Sequence, residues 1–179
     1  RTTTPEFSAS TVTHSKLWGT TRNPHNTDFT PGGSSGGAGA VLAAGSTLLA
    51  TGSDIGGSIR IPSSYCGVVG FKPPFGRVPG MAPFNSDTYC ADGSMARTVA
   101  DVAMLQNVIA GPWARDQASL RERLSLDASV TSLAGTRIAL CLTLGNYRVD
   151  PEVIANTLAV GEALRAAGAE VELVELPWS

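Results

Sequence analysis

Histidine and lysine are both scarce in this sequence. His14, His25, Lys16 and Lys72 are the only ones present. Neither histidine has a nearby cysteine or an i,i+4 partner, so a zinc pair is not expected. The three cysteines, Cys66, Cys90 and Cys141, form no C-x-x-C or other metal spacing and read as three buried thiols of a reducing compartment. No apolar run reaches about 18 residues, so no membrane span is expected. The opening residues carry no apolar h-region of a signal peptide and no initiator methionine. These features lead to the expectation of a cytoplasmic protein and a piece of a longer chain. A net charge of −2 offers no electrostatic case for nucleic acid or an acidic membrane.

Two nucleotide-binding patterns are also missing. A phosphate loop needs a lysine after its glycines, and none follows here. The G-x-G-x-x-G fingerprint does not occur.

Glycine and serine, by contrast, are concentrated between Pro31 and Pro79. The segment begins Pro31-Gly32-Gly33-Ser34-Ser35-Gly36-Gly37. It continues as Gly52-Ser53-Asp54-Ile55-Gly56-Gly57-Ser58-Ile59-Arg60, then Cys66-Gly67-Val68-Val69-Gly70-Phe71-Lys72-Pro73 and Gly76-Arg77-Val78-Pro79. Serines flanked by such glycines have backbone N–H groups free to face an anion. This layout suits a site that binds or makes an oxyanion. Tight turns explain either loop alone, but two Gly-Gly-Ser loops separated by one helix and one strand point to a site.

Along the rest of the chain, residues 1–30 are polar and read as an ordered loop or short irregular helix, with Trp18 as a packing residue. Ala38 to Ala44 predicts a helix stopped by Gly45, and Leu48 to Thr51 a strand running into the second glycine loop. Val68 to Phe71 predicts a buried strand. Prolines 73, 74, 79 and 83 make residues 73–95 mainly loop. Apolar residues at 99, 102, 105, 108 and 109 predict one buried face of a helix over 98–109. Residues 115–129 read as an exposed connector, and 137–142 as a buried strand. Asp150-Pro151-Glu152 starts a helix that ends at Gly168, followed by a strand at 171–173. The class is α/β, with a mixed, largely parallel sheet core flanked by helices.

Gly32-Gly33-Ser34-Ser35-Gly36 matches G-x-S-x-G, but that nucleophile elbow needs a later histidine, and both histidines precede Ser34. A neutral lysine can activate serine instead. From the residues alone Lys72 is the candidate base, although a structural lysine beside a turn is the favoured reading.

These stretches together resemble the amidase signature family of Ser-Ser-Lys hydrolases. Pro31 to Ala40 is similar to its P-G-G-S-S-G-G segment and Gly52 to Arg60 to its G-[ST]-D-x-G-G-S-[IV]-R segment. Cys66 to Pro73 and Gly76 to Pro79 resemble C-G-x-x-G-x-K-P and G-R-V-P. Thr2 to Phe7 resembles T-N-T-P-E-F, with Thr3 in place of Asn. Met95 to Val99 resembles the end of P-M-A-R-T-V, with Ser94 in place of Pro. The match weakens after about residue 112.

The resemblance implies an amide hydrolase that forms a serine acyl-enzyme. Ser58 matches the nucleophile. Ser34 matches the bridging serine, with a cis Gly33–Ser34 peptide before it. The N–H groups of Ile55, Gly56, Gly57 and Ser58 match the oxyanion hole. Ser35 and Arg60 match supporting positions, and Asp54 braces the loop. Lys72 matches the lysine of C-G-x-x-G-x-K-P. The family's catalytic lysine lies upstream of the residues present, so the resemblance implies the central part of one larger domain, inactive by itself. The implied partner is a small-molecule amide, with no nucleic acid, membrane, metal or organic cofactor, and a homodimer is a further expectation. Two alternatives stand beside this reading: the amidase-like subunit of a glutamine-dependent tRNA amidotransferase, and a non-catalytic binding module on the same scaffold.

Overall fold

A computed structural model describes residues 2–130, 132–145 and 147–176. The chain divides into two compact units, residues 1–128 and 129–179. The first opens with a 3₁₀ turn at Glu6–Ser8 and a short antiparallel pair, β1 (His14–Ser15) and β2 (Gly19–Thr20). Trp18 lies in the turn between these strands and is 70% exposed, so it does not pack as expected.

Next come α1 (Gly36–Ala43), β3 (Leu49–Asp54), α2 (Arg60–Cys66), β4 (Val69–Gly70), β5 (Ala91–Ala96) and α3 (Val99–Ile109). The sheet order is β3-β5-β4. Strands β3 and β4 each pair antiparallel with β5, so they share one direction. The crossover through α2 sets that shared direction, and β5 then fills the gap between them. Both ladders of this sheet are therefore antiparallel. Among the described residues, parallel pairing is confined to the second unit.

Residues 73–90 are mainly loop, as expected, but the end of that stretch forms strand β5 from Ala91 onward. Its sequence, Ala-Asp-Gly-Ser-Met-Ala, has low strand propensity. It is held extended by partners on both sides, and such context outweighs propensity in sheets. The second glycine loop also starts later than expected, because β3 runs through Gly52 and Ser53 to Asp54.

Helix α3 forms where its periodicity predicts, but it is rotated. Val102, Ala103 and Gln106 are buried, while Val99 and Val108 are 61% and 73% exposed. Ser94 on β5 explains the rotation. Its hydroxyl lies 3.0 Å from the Val102 carbonyl and 3.1 Å from Gln106 Oε1, drawing a polar residue onto the sheet. Of the cysteines, all free, only Cys66 is buried; Cys90 and Cys141 are partly exposed.

The core beneath the glycine loops comprises Ala38, Leu42, Ile59 and Met95, with Ala50 and Val68 against them. Ile59 follows Ser58 directly and is fully buried. Gly52, Gly70 and Gly93, one on each strand, make room for it: a Cβ on any of the three would come within about 3.1 Å of the Ile59 side chain. A Cβ at Gly93 would also strike the Phe71 carbonyl oxygen, which is backbone and cannot swing aside. Gly93→Ala should therefore destabilise the protein by about 2–3 kcal/mol through overpacking. A urea midpoint equal to that of the unmutated protein would show that the sheet opens without cost.

In the second unit, β6 (Arg137–Leu140) and β7 (Glu170–Leu173) pair in parallel around α4 (Pro151–Ala166). Asp150 caps α4 by accepting from the Glu152 N–H at 2.9 Å, and Pro151 occupies the first turn, as the sequence predicts. Helix α4 ends at Ala166, and Gly168 takes φ 100°. The expected buried strand at 137–142 is shorter, and its residues alternate between exposed and half-buried.

Candidate active site

The two glycine-serine loops face one cavity of about 1040 Å³, and Ser34, Ser53, Ile55 and Ser58 all line it. The first loop carries a cis peptide at Gly33–Ser34. Thr13 braces this loop from the N-terminal segment. Its buried hydroxyl donates to the Gly32 carbonyl at 2.9 Å and accepts from the Gly36 N–H at 3.1 Å. The loops are tied together by the Ser35 N–H, which donates to the Ser58 carbonyl at 3.1 Å. Ser35 and Ser34 are buried, whereas Ser58 is half-buried.

The second loop folds around the carboxylate of Asp54, which is wholly buried at the end of β3. It accepts from the Gly57 N–H at 2.7 Å, the Ile59 N–H at 3.1 Å and the Arg60 N–H at 3.2 Å. The Arg60 guanidinium adds bonds of 2.9 and 2.8 Å through Nε and Nη2. Burial by itself pushes the Asp54 carboxyl upward. The Arg60 guanidinium and the three N–H groups outweigh it and hold the group well below the usual carboxylate range. The same contact pushes the Arg60 guanidinium further upward.

This network assigns the backbone donors. An N–H makes one good hydrogen bond, and that of Gly57 already goes to Asp54. Of the four N–H groups expected to face an oxyanion, those of Ile55, Gly56 and Ser58 have no acceptor among the described residues. Nor, among those residues, does a hydrogen bond join the Ser34 and Ser58 hydroxyls. Bonds of this kind are commonly long in an unliganded site and tighten when substrate binds.

Lys72 does not reach either serine. Its ammonium donates to the Ile55 carbonyl at 3.0 Å and the Tyr89 carbonyl at 2.6 Å, and lies 3.4 Å from Asp54 Oδ1. Cys90, on the same cavity wall, is pushed upward by burial, with Asp92 and Asp87 adding to the effect. Both effects favour the thiol over the thiolate.

Three residues of the site escape sequence reasoning. Thr13 falls in a segment with no chemical pattern. Asp92 lines the cavity, and desolvation pushes its carboxyl upward. Asp116 lies in the expected exposed connector, yet it is buried and binds the Gly80 N–H at 2.8 Å and Asn85 Nδ2 at 3.0 Å. Those bonds fix one wall of the cavity, and they hold its carboxyl below the usual range. The sequence from Asp116 to Ser119 carries a local turn signal, but nothing in it points to partners some 30 residues upstream.

Fold and site define an α/β protein that presents two serines, each in a glycine-rich loop, to one cavity. The family model described as Amidase matches residues 1–179, and the chain belongs to the amidase family. A glutamyl-tRNA(Gln) amidotransferase subunit from Synechococcus sp. (strain CC9605) is 43% identical over 182 residues, covering 99% of this chain and 37% of that protein. A bacterial aryl acylamidase of the amidase signature enzymes superposes with a TM-score of 0.89 at 38% identity, covering 98% of this chain and 37% of its own. Fatty acid amide hydrolase superposes with a TM-score of 0.87 at 31% identity, covering 98% of this chain and 32% of its own. The chain thus spans 37% of the length of the curated relative it matches.

Proposed function

We propose that this chain carries the nucleophile and oxyanion-binding part of an enzyme that hydrolyses carboxylic amides. The observation behind the reading is the meeting of Ser34, Ile55 and Ser58 at one cavity, with the N–H groups of Ile55, Gly56 and Ser58 free of acceptors among the described residues. In this reading a base takes the Ser34 proton while Ser34 takes that of Ser58. Ser58 Oγ bonds to the amide carbon, and the free N–H groups stabilise the oxyanion. The C–N bond then breaks, Ser34 protonates the departing amine, and water hydrolyses the acyl-serine. The family resemblance assigns the base to an upstream lysine. Lys72 is not it, because its ammonium is directed at three other oxygens. The free cysteines fit a reducing compartment, and the cytoplasm is the location this reading carries.

The test is turnover by the full-length protein across a panel of anilides, primary amides and glutamine. The expected result is release of amine or ammonia with a burst of acyl-enzyme. Turnover of none of them, together with no acylation of Ser58, would overturn the reading. A second reading is favoured by the 43% identity to an amidotransferase subunit. In that case glutamine alone is hydrolysed, and copurified partner subunits raise the rate.

A further inference from the structure

Lys72 bonds to the second glycine loop without lining the cavity, and it has no part in the chemistry above. Its ammonium has three hydrogens, and three oxygens surround it: the Ile55 carbonyl at 3.0 Å, the Tyr89 carbonyl at 2.6 Å and Asp54 Oδ1 at 3.4 Å. This arrangement makes Lys72 a donor that fixes backbone. We propose that Lys72 is a positioning residue, which grips the Ile55 carbonyl and thereby aims the Gly56 N–H at the developing oxyanion. The inference rests on the reading of Ser58 as the nucleophile.

The Ile55–Gly56 peptide is trans, so its C=O and N–H lie in one rigid plane and point in opposite directions. Fixing the carbonyl fixes the direction of the N–H. Little else in the loop does so. The Gly56 N–H has no acceptor among the described residues, and a Cβ built at Gly56 would meet nothing within 4 Å. Glycine also accepts either sign of φ, so this plane is free to turn over once released.

The neighbouring plane is held in the complementary way. Asp54 Oδ1 takes the Gly57 N–H at 2.7 Å. A carboxylate thus holds one peptide by its N–H, and an ammonium holds the preceding one by its C=O. The two charges are themselves paired, so the two grips stabilise each other. The bond to Tyr89 ties the same ammonium to the segment beside Cys90, on the cavity wall.

The experiment uses the full-length protein, a fluorophosphonate probe and phenylboronic acid, which becomes tetrahedral and anionic on a serine. In Lys72→Met the maximal labelling rate and the affinity for phenylboronic acid should both fall by about 10–100-fold, while the half-saturating probe concentration moves less than about threefold. Lys72→Arg keeps the charge beside Asp54 and should show a smaller loss of the same two quantities. If Lys72→Met does not fold, Lys72→Arg alone decides. A folded variant that keeps both quantities overturns the proposal, as does a loss confined to half-saturation. An adduct found away from Ser58 in the unmutated protein would remove the parent reading and this inference together. Labelling at Ser58 that is indifferent to Lys72 would remove this inference alone.

Discussion

Ser58→Ala should lower fluorophosphonate labelling and amide turnover of the full-length protein by ~10⁴-fold or more. In the unmutated protein the adduct should sit on Ser58 Oγ. Ser34→Ala should slow the reaction by ~10²–10⁴-fold, the range of a lost proton relay, and leave the adduct site unchanged. Composition does not distinguish the two serines, since both lie in glycine-rich loops. Their surroundings do. Ser58 is half-buried and open to the cavity, and its own N–H and those of Ile55 and Gly56 lack acceptors among the described residues. Ser34 is buried, and its loop is braced by Thr13, whose hydroxyl bonds on both sides of it. Mass spectrometry that places the adduct on Ser34 would reverse the two roles.

Asp54→Ala should destabilise the protein by about 2–3 kcal/mol, the order of cost of leaving buried donors unsatisfied. It leaves the Gly57, Ile59 and Arg60 N–H groups without their acceptor, while the Arg60 side chain, 55% exposed, keeps access to water. The loop that carries Ser58 should then lose its shape, so labelling should fall as well. The pH dependence has a definite sign. The folded carboxyl lies below its unfolded value of about 3.9, so its stabilisation is complete well above that pH. The stabilisation is lost as pH falls from there toward the folded pKa, at up to about 1.4 kcal/mol per unit. Asp54→Asn should flatten this acid limb. Parallel urea midpoints at neutral and acid pH test it, and equal acid slopes in the two proteins would exclude Asp54 as the source.

Much of the site was legible because its signals are local. The run of glycines and serines announces two tight loops, and the order helix, strand, second loop follows from short stretches of composition. Asp54 and its donors Gly57, Ile59 and Arg60 lie within six residues of one another, so a bracing role could be read from the loop itself. Asp150-Pro151 at the start of α4 is a signal of the same kind. The placement of Ile59 was not legible, because it depends on glycines from three strands meeting on one face. The rotation of α3 was hidden for a related reason: periodicity counted Val99 and Val108, while Ser94 on another element selected Gln106.

Residue pattern was enough to establish the α/β class, the pair of serines and the glycine loops. Each depends on backbone preferences or residue patterns that act over a few positions. Folding was needed to show that Thr13 braces the first loop, that Asp116 holds a cavity wall, and that the Gly57 N–H is occupied while those of its neighbours have no acceptor among the described residues. It also brought Lys72 to the Ile55 carbonyl, 17 residues away in sequence. Most of these contacts join distant segments, and all require a single geometry of strands and crossovers. A hydrogen bond depends on tenths of an ångström, and no spacing along a chain specifies that until the chain has folded.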